Sequence, residues 1–147
     1  MKTKEDVILN QLKKTDFMSC AVRNFFPEAR HKLILSNEIA DPGFGKCLER
    51  IGYFYLPPDN PIIYTHAKIN LGKTKKELIA DLRAQKKPYG DLLRDYYPDS
   101  KIESKTISFE ENVKLPELFS QTNKIVSKHI RYILVNGEKV AIAVEYI

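Results

Sequence analysis

Glu145 is the side chain with the clearest potential for chemistry, because its carboxylate ends the apolar run at residues 140–144. A carboxylate buried at the end of such a strand is costly unless a partner or a ligand compensates it. An ionised carboxylate only accepts hydrogen bonds, so Glu145 could hold a ligand hydroxyl or act as a general base. The alternative is that Glu145 reaches solvent at a strand end, as charged residues usually do.

The composition is that of one ordinary soluble domain spanning residues 1–147, with 43% apolar and 29% charged residues. A net charge of +5 suits an anionic ligand. The basic residues are scattered and no nucleic-acid-binding motif is present, so we expect no nucleic-acid partner. No apolar run approaches the roughly 20 residues of a membrane span, and no signal peptide opens the chain. The two cysteines fit reduced thiols in the cytoplasm, and no cluster of ligands suggests a metal.

Two hairpins are predicted to position the functional groups. Asn136-Gly137 is typical of a type I′ turn, since both residues tolerate positive φ, and it joins strands at residues 130–135 and 140–144. A proline-rich turn at residues 57–61 separates two further strand-like runs. Strands are also predicted at residues 31–36 and, with the alternation of a sheet edge, at residues 101–109.

Short helical segments lie between these strands. Apolar spacing and helix-breaking residues place them near residues 3–12, 16–26, 74–82 and 91–97. Thr74 and Glu77 have the spacing of a capping box. Hairpins with intervening helices and no βαβ alternation predict an α+β domain, an antiparallel β-sheet with helices packed on one side.

Four short motifs follow one another in a specific order. They are Asp16-Phe17-Met18-Ser19, then Arg50 with the two strands around the proline turn, then Lys87-Pro88-Tyr89-Gly90-Asp91-Leu92-Leu93, and finally Gly137, Lys139 and Glu145 in the terminal hairpin. From about residue 16 to residue 147, this order resembles the chorismate lyase family and its sensory relatives, the UTRA ligand-binding domains of bacterial transcription regulators. The resemblance implies a chorismate-lyase-like fold.

The resemblance also implies roles for five residues. Arg50 would bind the carboxylate of the aromatic product, and the backbone N–H of Tyr89 would hold the same carboxylate. Glu145 would hydrogen-bond the ring hydroxyl, and the Met18 backbone would contact the ligand. His66 stands where many chorismate lyases have a second arginine. It could bind the enolpyruvyl carboxylate as a cation, or it could be a core histidine hydrogen-bonded to backbone.

The activity that the resemblance implies is elimination of pyruvate from chorismate to give 4-hydroxybenzoate, with Arg50 and Glu145 as catalytic residues. Aromatisation drives this reaction, so no cofactor or metal is expected, and the protein supplies orientation and charge placement. The ligand would be a small anionic aromatic or cyclohexadiene acid. The alternative is a UTRA-like sensor domain that binds such an acid without turnover. UTRA domains usually follow a DNA-binding domain, and only the first fifteen residues precede the resemblance here, which favours an enzyme or a stand-alone binder.

Three expectations concern the surroundings of these residues. Arg50 could form a surface ion pair with Glu49 instead of binding a ligand. If it does bind one, the glycine-containing loop at residues 41–45 and the Met18 segment should close over the pocket as a lid. Neither Arg50 nor Glu145 is expected to hold the core together.

Overall fold

The structure, a computed structural model, describes residues 18–119 and 124–147. Its elements are α1 (Met18–Phe25), β1 (Arg30–Asp41), β2 (Gly45–Leu56), β3 (Asn60–Asn70), α2 (Lys76–Arg83), α3 (Tyr89–Tyr96), β4 (Ile102–Lys114), β5 (Ile125–Val135) and β6 (Glu138–Tyr146). Single 3-10 turns lie at Leu71–Lys73 and Glu117–Phe119. The helix predicted near residues 3–12 lies outside the described residues. No helix within the described ranges has the length and apolar character needed to cross a bilayer.

The six described strands form one antiparallel sheet in the order β1-β2-β3-β6-β5-β4. The C-terminal strand β6 pairs with β3, so the terminal hairpin joins the first three strands at the centre of the sheet. The prediction of an antiparallel α+β domain is confirmed at this level. The predicted edge strand near residues 101–109 is β4, which forms one edge and is longer than its sequence pattern indicated.

The β5–β6 turn has the predicted type I′ character. Asn136 and Gly137 have φ values of 51° and 81°, the positive values that such a turn requires. The side-chain Oδ1 of Asn136 accepts a hydrogen bond from the Lys101 N–H at 2.9 Å. The Asn136 N–H in turn donates to the Lys101 carbonyl at 2.8 Å. The turn is therefore tied to the start of the neighbouring edge strand.

Three helices cover one face of the sheet, which we call the helix-covered face. The apolar stripe of α2 (Leu78, Ile79 and Leu82) is buried in the main core, which also includes the strand residues Leu48 and Ile69. Helix α1 buries Val22 against the other end of the sheet. It also contacts α3 through an ion pair between Arg23 and Asp91 at 2.8 Å. The opposite face buries Tyr64 and Tyr146 beneath Leu115 and Phe119.

One local prediction was wrong. The Thr74 hydroxyl does not cap α2; it donates to the Asn70 carbonyl at 2.7 Å, and α2 begins without a side-chain cap. Residues 41–45 form the tight turn between β1 and β2, with Asp41 paired to Gly45. The Asp41 carboxylate accepts hydrogen bonds from the Gly43 N–H at 2.9 Å and from Lys68 Nζ at 2.8 Å. These bonds hold the turn in the free protein, and the closure of this segment over a ligand stays a prediction.

Candidate functional site

A cavity of about 290 Å³ lies on the helix-covered face. Its floor is formed by β2, β3, β5 and β6, and residues 85–90, which lead into α3, form one wall. The strand register explains why space remains there. Ala67 of β3 pairs with Ala143 of β6, so two small side chains occupy adjacent positions at the centre of the floor.

An arginine lies at each end of this alanine pair. Arg50 pairs with Ala67 across β2 and β3, and Arg131 pairs with Ala143 across β5 and β6. The four residues therefore share one row and one face, and the two arginine Cα atoms are about 14 Å apart at the usual strand spacing. The row has a guanidinium at each end and a hollow between them.

The neighbouring row carries Glu145. It pairs with Thr65 on β3 and with His129 on β5, and Thr65 pairs with Gly52 on β2. Because alternate residues of a strand share a face, Glu145 lies on the same face as Arg50. Their Cα atoms are about 12 Å apart, two strands across and two residues along. The structure thus brings Arg50 and Glu145 together around one cavity.

Arg50 presents a cation that forms no ion pair with a carboxylate in the part of the chain that the structure describes. Its Nε is buried and has no hydrogen-bond partner among the described residues. Burial lowers the pKa of the guanidinium, although an arginine remains charged at neutral pH. The suggested ion pair with Glu49 does not form, because Glu49 lies on the opposite face and contacts His66.

Glu145 is buried, with 1% of its surface exposed, so the exposed strand end is excluded. Its Oε1 accepts a hydrogen bond from Arg131 Nε at 2.6 Å. The other oxygen, Oε2, lies 3.7 Å from His129 Nδ1 and accepts no hydrogen bond from any described residue. Glu145 is thus half of a buried ion pair, which corrects the expectation that it does not contribute to the core. Its Oε2 is open in the sense that no described residue donates a hydrogen bond to it.

Tyr89 lies at the wall of the cavity as the first residue of α3. The first intrahelical bond runs from the Leu92 N–H to the Pro88 carbonyl at 3.1 Å, so the preceding N–H groups have no acceptor within the helix. Such helix starts carry partial positive charge and favour anions. Burial raises the pKa of the Tyr89 hydroxyl, with a smaller contribution from Tyr97, and keeps it protonated.

The other two predicted ligand contacts are His66 and Met18. His66 borders the cavity, but its Nε2 lies 2.8 Å from Glu49 Oε2. Glu49 and Arg50 are neighbours on one strand, so this imidazole is on the opposite face from the Arg50 side chain. Its partner is therefore the Glu49 carboxylate, which differs from the predicted hydrogen bond to backbone. Met18 begins α1, and its side chain lies outside what the structure describes.

We expect His66→Gln to affect folding stability more than ligand affinity. The substitution removes a half-buried hydrogen bond to Glu49 and should lower the free energy of unfolding by about 1 kcal/mol. Urea denaturation measures this loss, and calorimetry with 4-hydroxybenzoate at neutral pH measures affinity. A large loss of affinity with unchanged stability would show that the imidazole contacts the ligand after all.

Arg131, His129 and His31 also border or support this site, and none was predicted from the sequence. The sequence pattern could have indicated two of them, because His129 and Arg131 are polar residues two positions apart in the largely apolar strand β5. Such spacing places both on one face of a strand. His31 had no comparable signal, because it lies in an edge strand with an irregular polar pattern.

Comparison with known proteins supports the fold. Structural similarity extends to the product of gene SA0254 of Staphylococcus aureus, with a TM-score of 0.64, 14% identity, and coverage of 92% of this chain and 90% of that one. A second similar structure is the ligand-binding domain of a regulator assigned to the GntR family in Bordetella bronchiseptica (TM-score 0.53, 10% identity, 82% and 85% coverage). A third is a GntR-family transcriptional regulator from Bacillus cereus (TM-score 0.55, 12% identity, 81% and 90% coverage).

The chain therefore shares its fold with these structures. No protein-family model matches the sequence, and neither does any curated protein. At identities of 10–14% the likeness concerns the fold, and the site must be interpreted from this chain's own residues.

Proposed function

We propose that this protein binds a small organic acid in the cavity of the helix-covered face. The observation that carries the proposal is the buried Nε of Arg50, which has no hydrogen-bond partner among the described residues at the cavity wall. An arginine in this state is costly unless an anion joins it. A carboxylate is a suitable partner, because its two oxygens match the planar guanidinium.

The charges around the cavity favour a monoanion. Arg131 is neutralised by Glu145, so Arg50 supplies one net positive charge among the described residues around the cavity. The adjacent Lys86 and Lys87 direct their amines to Asp81 at 3.2 Å and Asp95 at 2.7 Å, away from the ligand space. A single carboxylate would therefore balance the buried charge.

Size and polarity narrow the ligand further. A volume of about 290 Å³ lies at the lower end of small-molecule pockets. Arg50 is one polar anchor, and the open Oε2 of Glu145 is an acceptor displaced from it across the floor. Between them the alanine pair leaves room for a flat apolar body. These features suit a single-ring acid with a hydroxyl group, such as 4-hydroxybenzoate, and support the sensor-type binding domain more than a catalyst.

A second candidate function is elimination of pyruvate from chorismate. It is favoured by one observation: the open Oε2 of Glu145 shares a cavity with the cationic Arg50. That oxygen could accept the hydrogen of the ring hydroxyl while Arg50 holds a carboxylate. The other oxygen of Glu145 accepts a hydrogen bond from Arg131. This bond fixes the position of the carboxylate, so Glu145 is better suited to accept a hydrogen bond from a ligand than to remove a proton as a base.

Calorimetric titration with 4-hydroxybenzoate tests the binding proposal. We expect a dissociation constant below about 1 mM, which corresponds to about 4 kcal/mol of binding free energy. The neutral isostere 4-hydroxybenzamide should bind much more weakly, because it cannot neutralise Arg50. Lack of binding at millimolar acid, or equal binding of acid and amide, would contradict the proposal. Incubation with chorismate, followed by absorbance of 4-hydroxybenzoate, separates the two functions: formation of product above the spontaneous rate would favour the lyase.

A further inference from the structure

His31 reaches the cavity from the edge of the sheet. It pairs with Phe54 across β1 and β2, and the two rings meet edge to face with centroids 4.9 Å apart. Phe54 and Arg50 are four residues apart on β2, so all three side chains lie on the helix-covered face. His31 lines the cavity together with Arg50, although the residue as a whole is exposed at its outer side.

The imidazole depends on a glycine for its position. A Cβ atom at Gly52 would lie 2.9 Å from both Cε1 and Nε2 of His31, and 2.5 Å from the Lys32 carbonyl oxygen. Such distances are closer than carbon atoms tolerate in packed proteins. Gly52 is also the residue two positions after Arg50 and on the same face. The absent side chain therefore lets the ring of an edge-strand residue lie over β2, beside the guanidinium.

The two ring nitrogens of His31 form no hydrogen bond with the described residues. The contact of the ring there is the apolar one with Phe54. Burial of the ring and the charge of Arg50 lower the pKa of His31 to about 4. The free protein therefore holds a neutral imidazole at neutral pH, with one nitrogen able to donate a hydrogen bond and the other able to accept.

We infer that His31 is a second contact for the ligand carboxylate that Arg50 binds. This inference rests on the proposed function and extends it. It gives the ligand carboxylate two hydrogen-bond donors on different strands, Arg50 on β2 and His31 on β1. A carboxylate accepts several hydrogen bonds. With the Arg50 fork on one side and an N–H of His31 on the other, it would be held from both β1 and β2.

A linked uptake of protons follows from this arrangement. A bound carboxylate offsets the positive charge of Arg50 and itself attracts an imidazolium, so the pKa of His31 rises in the complex. The complex then holds more protons than the free protein, and affinity increases as the pH falls through the pKa of the complex towards the lower pKa of the free protein. The other charged groups around the cavity are Arg131, Glu145, Lys86 and Lys87, and the other described imidazoles near it are His66 and His129.

Titration calorimetry with 4-hydroxybenzoate at pH 7.5, 6.5 and 5.5 tests the inference. The carboxyl of this probe stays ionised over the range, since carboxyl groups titrate near pH 4. The wild-type affinity should increase by roughly threefold or more from pH 7.5 to 5.5, within the limit of tenfold per pH unit for one proton. Measurements at pH 6 in two buffers of different ionisation enthalpy count the protons taken up.

Three variants test whether His31 causes the pH dependence of affinity and the proton uptake. H31Q keeps a hydrogen-bonding side chain that does not titrate, so it should bind the probe with a flat pH profile and no proton uptake. H31F keeps the ring over Gly52 and against Phe54 but loses the hydrogen bond, so it should bind several-fold more weakly at every pH. H66Q is the matched control, because its imidazole lies on the opposite face with Glu49, and it should keep the wild-type profile.

The outcomes separate this inference from the proposed function. If H31Q keeps the wild-type pH profile and proton count, or if H31F binds as tightly as wild type, His31 does not contact the carboxylate and the inference is overturned alone. If the wild-type protein does not bind the probe at any pH, the proposed function is overturned, and the inference is overturned with it.

Discussion

Replacement of Arg50 by alanine is expected to weaken the binding of 4-hydroxybenzoate by about 2–5 kcal/mol, the usual cost of truncating one partner of a buried charge pair. The dissociation constant should therefore rise by roughly thirtyfold to several thousandfold. The reason is that Arg50 supplies the one positive charge of the cavity that no described carboxylate neutralises. Without the guanidinium, the ligand carboxylate would lose its hydration in the cavity and gain no opposite charge from position 50.

The folded state should tolerate this change, because the Arg50 side chain makes no ion pair that the substitution would break within the described residues. Arg83→Ala is the matched control: it removes the same charge from the surface of α2, where Arg83 pairs with Glu38. Calorimetry on both variants, alongside urea denaturation, measures affinity and stability separately. Affinity unchanged in Arg50→Ala, or lowered equally in both variants, would remove the basis for the proposed site.

Arg131→Met should lower the free energy of unfolding by about 3–5 kcal/mol, the cost of leaving one member of a buried ion pair without its partner. The Glu145 carboxylate would then remain at 1% exposure without the guanidinium that donates to it at 2.6 Å. Urea denaturation with linear extrapolation measures the loss. Because the pair lies in the floor of the cavity, ligand affinity should also fall.

The double variant Arg131→Met with Glu145→Gln separates structural from binding effects. Without the charge at position 145, most of the lost stability should return, since replacing both members of a buried pair is often nearly neutral. Ligand affinity should not return, because the charged acceptor Oε2 is gone. If the change in unfolding free energy of the double variant instead equals the sum of the changes in the two single variants, Arg131 and Glu145 do not stabilise one another.

The central hairpin shows how far the sequence predicts this fold. Asn136-Gly137 and the apolar strands on each side are sufficient to place the hairpin and to single out Glu145. They are not sufficient to find its partner. With a strict two-residue turn, Glu145 would pair with Lys128, and Arg131 would lie on the other face. A register shift between Ile133 and Leu134 changes the pairing to His129.

This one-residue shift decides the chemistry of the site, because it moves a whole set of side chains from one face to the other. The extra residue is Val140 of β6, and nothing in the local pattern indicates it, since Val140 simply begins the apolar run of that strand. The same limit applies to His66, whose contact with Glu49 depends on the pairing of β2 with β3. The sequence thus predicts Arg50, Tyr89 and Glu145 as neighbours of one cavity, while the partners of these side chains within the protein depend on the strand register.

The hollow between Arg50 and Arg131 exists because Ala67 and Ala143 are small, not because the backbone departs from a regular sheet at that point. Its dimensions are therefore set by side chains whose exchange leaves the strand hydrogen bonds in place. A valine or leucine at either position would shorten the space available to a ligand while the charged ends stay where they are. Acceptable ligand length and charge recognition are thus separable traits in this scaffold, and selection can adjust the first without rebuilding the second.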